Sequence, residues 1–121
     1  MKINRMKKLV VLPALFVAFV AIAQKNDTEE VEIFTSAICE MCKETIEYDL
    51  TFAKGIKDVN LNLENKIVTV AFKPGKTTAK DIRERITKLG YHADSLRRDP
   101  VAYENLPFCC KDGGHDGDHR N

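Results

Sequence analysis

The 121-residue sequence predicts an α+β fold, a two-layer sandwich in the order strand, helix, strand, strand, helix, strand. Three observations predict it. Ile46, Leu50 and Ala53, and again Ile82, Ile86 and Leu89, recur at i, i+4, i+7, the spacing of one helix face. Between these stretches, two runs alternate apolar and polar residues across a short turn. Extended-looking segments stand before the first helix and after the second.

Each element follows in order. Val31 to Thr35 alternates and predicts the first strand. A loop from Thr35 to Met41 leads into a helix over 42–53, with Gly55 free to take the left-handed position that ends a helix. Val59, Leu61 and Leu63 alternate with Asn60, Asn62 and Glu64. Glu64-Asn65-Lys66 reads as a turn, and Val68, Val70 and Phe72 continue the alternation, which predicts a hairpin. Pro74-Gly75 stops that strand. Thr78 to Asp81 resembles a capping box, with Asp81 where Glu is usual, and Gly90 follows the second helix. Tyr91 to Leu96 predicts a fourth strand. A four-stranded antiparallel sheet with both helices on one face buries every apolar stripe, the ferredoxin-like βαββαβ arrangement, over residues 31–96.

Both ends lie outside this domain. Lys2, Arg5, Lys7 and Lys8 precede the uncharged apolar run Leu9 to Ile22, and Ala21-Ile22-Ala23 supplies the small residues of a cleavage site. The run is about 15 residues, short of the roughly 20 that span a bilayer as a helix. Residues 1–23 therefore predict a signal peptide, export and a periplasmic location. Residues 24–30 predict a polar leader. Residues 97–121 form a C-terminal extension in which Asp99-Pro100 predicts a short helix start. Cys109-Cys110 follows, then a Gly-, Asp- and His-containing end expected to be mobile.

The net charge is +1 and no Trp is present, so nucleic acid is not expected as a partner. No Ser/His/Asp set, phosphate loop or carboxylate pair points to catalysis, and the expectation is a protein that is not an enzyme.

The four cysteines carry the chemistry. Cys39-x-x-Cys42 straddles a loop-to-helix junction, where unpaired N–H groups favour thiolate, the form that binds metal. Two thiolates suit a soft ion; tetrahedral Zn(II) prefers four ligands. The spacing alone leaves three readings open: a metal site, a thioredoxin-like redox pair, or a plain disulfide. Cys109 and Cys110 are candidate accessory ligands, if the extension folds back, or disulfide partners of Cys39 and Cys42. His115 and His119 are candidate accessory ligands in a segment too rich in Gly for a stable helix. Met41 reads as packing, and His92 is assigned no role. Arg83, Glu84, Arg85 and Lys88, with Glu44, Glu47 and Asp49, read as the wet faces of the helices.

Residues 31–96 resemble the heavy-metal-associated domain family. Thr35 to Cys42 is similar to its metal loop, with Ser36 and Ala37 where Gly and Met are usual. Ile46, Leu50, Gly55, Ile56, Val59, Leu61, Val68, Val70 and Phe72 fall where that family keeps core residues. Leu89-Gly90-Tyr91 resembles its final loop, Tyr91 standing where bacterial members pack a residue beside the metal. The resemblance implies a carrier or scavenger of Cu(I), the favoured ion, or of Hg(II) or Zn(II), held by Cys39 and Cys42. It implies a membrane metal transporter or resistance-system protein as partner. With a signal peptide ahead of the domain, the chain most resembles periplasmic mercury-binding proteins. The alternative is a periplasmic thiol–disulfide redox protein using the same pair. The absent loop Met predicts a loop without its apolar tether.

Overall fold

A computed structural model describes residues 27–112. The expected signal peptide, His115 and His119 lie outside the described residues. The elements run β1 (Glu29–Phe34), α1 (Glu40–Thr51), β2 (Ile56–Asn62), β3 (Ile67–Phe72), α2 (Ala79–Lys88) and α3 (Pro100–Glu104), with a final 3₁₀ turn at Phe108–Cys110. The sheet is antiparallel in the order β1-β3-β2. This is an α+β domain of ferredoxin-like topology.

Alternation decides which side chains face the core. Ile33 of β1, Leu61 of β2 and Val68, Val70 and Phe72 of β3 are buried against Ile46 and Leu50 of α1 and Ile82 and Ile86 of α2. Burying each such side chain stabilises the fold by about 1.5–3 kcal/mol. The Thr78 hydroxyl accepts the Asp81 N–H and starts α2 as its sequence predicts. The helix faces are less wet than expected. Glu47 reaches across to accept the Leu61 N–H of edge strand β2, and Arg85 pairs with Asp49 across the two helices.

Four expectations are corrected. Glu29 and Glu30 belong to β1 rather than to a loose leader, because they pair with Phe72 and Ala71. The first helix begins at Glu40 and ends at Thr51. Gly55, at φ +83°, therefore sits beyond its end; its carbonyl accepts the Lys73 N–H beside β2. Residues 91–96 form no fourth strand. Only Ala93 bridges Thr35, and the chain then turns back so that Ala93 and Leu96 bond each other. Asp94 forces that turn. It sits at φ +53°, its backbone N–H donates to Phe34, and its carboxylate accepts the Phe34 N–H and the Arg83 side chain.

Candidate metal centre

Cys39 is the N-cap of α1 with extended backbone, and Cys42 is the third helical residue. The chain reverses between them, so the side chains converge and the sulfurs stand 3.0 Å apart. Cys42 is fully buried, whereas Cys39 is half-buried. Burial alone would push the Cys39 thiol up. Hydrogen bonding from the Cys42 side chain and backbone N–H, then from Cys110 and Cys109, outweighs it and lowers Cys39 to about 7. The Cys42 N–H leans toward that sulfur without closing a full cap hydrogen bond. Cys39 is thus disposed to the thiolate form near neutral pH.

The loop is tethered although it lacks the Met. The Ser36 hydroxyl accepts the His92 N–H at 2.9 Å. Thr35, fully buried, donates its hydroxyl to the Lys66 carbonyl and accepts the Ala37 N–H. Ala37 itself is fully buried. Polar bonds hold the loop where the apolar tether is absent.

The extension folds back on the site. Gly90, at φ +106°, lets the backbone of Ala102 pass so close that an added Cβ would meet it at 3.1 Å. Asp99 caps α3 by accepting the Val101 and Ala102 N–H groups. The Arg98 N–H donates to His92 Nδ1, and its guanidinium lies 3.4 Å over the Tyr103 ring and pairs with Asp112. These contacts deliver the 3₁₀ turn to the start of α1. Cys110 ends 3.6 Å from Cys39, sulfur to sulfur, and is 3% exposed. The sulfurs of Cys39, Cys42 and Cys110 all lie within 4.8 Å of one another. All four cysteines are free thiols. Cys109 lies outside that triangle but at its edge, within hydrogen-bonding reach of Cys39 and with its sulfur 3.8 Å from that of Met41. Tyr91 is buried beside this cluster; its hydroxyl lacks a hydrogen-bond partner, and burial first, then the neighbouring Cys110 and Cys42, hold it protonated.

The donor set is sulfur alone, which is the chemistry of a soft ion rather than of Mg(II) or Ca(II). Residues 34–92 also match the model of the heavy-metal-associated domain family. This region is a heavy-metal-associated domain. The match to the heavy-metal-associated domain stops short of the extension, so Cys110 comes from outside it. The chain is 34% identical over 68 residues to a copper-exporting P-type ATPase of Bacillus subtilis (strain 168), across 55% of this chain and 8% of the ATPase. It thus spans less than a tenth of the length of the curated relatives it matches. Among solved structures, it is similar to the N-terminal domain of a potential copper-translocating P-type ATPase from Bacillus subtilis in the Cu(I)-loaded state. That likeness has 29% identity and a TM-score of 0.53, over 55% of this chain and 85% of that one. It shares its fold with oxidized MerP from Ralstonia metallidurans CH34, at 20% identity and a TM-score of 0.53, over 55% and 94% of the two chains.

Of the candidate ligands in the sequence, the fold brings together Cys39, Cys42 and Cys110, with Cys109 at their edge and His115 and His119 outside the described residues. Sequence reasoning missed Ser36, His92, Arg98 and Tyr103, which fasten loop and extension. His92 acts through a backbone N–H and a ring nitrogen, and no local pattern announces either contact.

Proposed function

We propose that this protein carries or scavenges a soft metal ion at Cys39 and Cys42, with Cu(I) favoured over Hg(II) and Zn(II). The observation that carries the reading is the pair of sulfurs 3.0 Å apart at the start of α1, one of them lowered to about 7. A thiolate at the rim can take an ion from a donor and pass it on by ligand exchange. The protein is not an enzyme in this reading. Residues 1–23 export it to the periplasm, and its partner there is a membrane metal transporter or a resistance-system protein. Likeness to copper-ATPase domains supports that class of partner.

Anaerobic titration of the reduced full chain with Cu(I), Zn(II) and Hg(II) tests the proposal. Tight one-to-one binding, lost in a Cys39→Ser/Cys42→Ser double variant, is expected. Equal binding by both proteins would move the site elsewhere. The low Cys39 value also favours one rival, a thiol–disulfide exchange protein. There, the Cys39 thiolate would attack a substrate disulfide and expel one thiolate, and the Cys42 thiol would release the second by closing the Cys39–Cys42 bond. A readily cycled Cys39–Cys42 disulfide without competitive metal binding would favour that rival.

A further inference from the structure

We propose that Cys110 is a third ligand of the Cys39–Cys42 site, so that the extension converts a two-thiolate loop into a three-thiolate centre for one soft ion. The inference rests on the metal-binding reading above and assigns a role to a segment that lies beyond the family match.

The geometry is the first support. Cys39 Sγ stands 3.0 Å from Cys42 Sγ and 3.6 Å from Cys110 Sγ, and no two of the three are more than 4.8 Å apart. With metal–sulfur bonds of about 2.3 Å, three thiolates in a plane around an ion stand about 4.0 Å apart, and two on a line about 4.6 Å. The present triangle needs shifts of about an ångström or less to reach the trigonal arrangement.

The second support is where Cys110 comes from. It lies 71 residues from Cys39 in sequence. The extension keeps Val101 and Phe108 exposed, yet it buries this one sulfur at the domain's cysteine loop. Gly90, Arg98, Tyr103 and Asp112 hold it there by contacts that do not involve the sulfur. The buried Tyr91 hydroxyl, which has no hydrogen-bond partner, borders the same spot.

The chemistry follows. A two-thiolate ion on a loop leaves a side open to an incoming thiol. A third sulfur occupies that side, so a partner must displace Cys110 before it takes the ion. Cu(I) and Hg(II) accept three thiolates, whereas tetrahedral Zn(II) calls for a fourth ligand beyond this triangle. On loading, each thiol that binds releases its proton to solvent, and no electron moves.

X-ray absorption at the copper edge tests the proposal on the reduced full chain loaded with one equivalent of Cu(I). Three sulfurs per copper are expected in the monomer, and two in Cys110→Ser, with one-to-one binding retained. Transfer to a competing chelator should be about tenfold faster or more in that variant, since even indirect support of a ligand changes affinity by about 10–100-fold. Cys109→Ser should match the parent. Two sulfurs in the parent, three in Cys110→Ser, or three only in a dimer would overturn the assignment, and the parent count decides without any variant. Absence of Cu(I) binding by the parent would instead remove the metal-binding reading, and this proposal with it.

Discussion

The two cysteine pairs of this protein arrange their sulfurs in opposite ways. Cys39 and Cys42 sit three residues apart across the start of a helix, and the helix turns both sulfurs to one point. Cys109 and Cys110 are neighbours in a 3₁₀ turn, which places Cys110 inside the three-sulfur cluster and Cys109 at its edge, against exposed Met41 and within reach of Cys39. Spacing thus makes the first pair a unit and divides the second. A pair joined by a helix turn is a local property; a residue delivered by the extension depends on every contact that holds the extension down.

The largest test of that contrast is Cys42→Ser. Removing the buried member of the local pair should lower Cu(I) affinity by roughly two orders of magnitude or more, read by chelator competition. Retained affinity would mean that the pair is not a unit. The pH dependence sharpens the same pair. Alkylation of Cys39 by iodoacetamide should reach half its maximal rate at about pH 7, against about 8.5 for a free thiol, and fall about tenfold per unit below that. The sign for stability follows: with the folded value below the free one, the thiolate's contribution is present above about 8.5 and is lost as pH falls through about 7. For the divided pair, Gly90→Ala should cost about 1–3 kcal/mol in urea unfolding, because φ +106° and a 3.1 Å contact with Ala102 both resist a Cβ. It should also loosen the extension and expose Cys110 to alkylation. Asp99→Ala should cost about 1 kcal/mol by removing the cap of α3, with faster proteolysis after Leu96 as the readout.

Much of the fold was legible because its signals are local. Ile46 and Leu50, Ile82 and Ile86, and the alternation through Val68, Val70 and Phe72 each need only a few neighbours in sequence, and all are buried as their spacing predicts. The caps at Thr78 and Asp99 are equally local. The fourth strand failed for the opposite reason. Asp94 bends residues 93–96 by bonding Phe34, 60 residues away, and no pattern around Asp94 carries that contact. The loop without its Met is a similar case, since Ser36 finds His92 only once the fold is formed. In the site, the pair Cys39/Cys42 was readable from spacing. The expectation that the extension folds back rested on ligand chemistry alone, because nothing near Cys110 in sequence fixes its path past Gly90.

The extension is thinly attached, and that has a consequence for time as well as for geometry. Its grip relies on few apolar contacts, Leu106 among them, and on partly exposed polar ones at Arg98 and Asp112. Segments of that kind open far more often than a whole domain unfolds, at a local free energy well below the global one. Under the three-sulfur proposal, the lifetime of a held ion is therefore set by local opening of residues 97–112. Substitutions that stiffen the sheet and its helices would raise the melting temperature and leave that lifetime unchanged, and amide exchange in α3, not in β3, would keep pace with release.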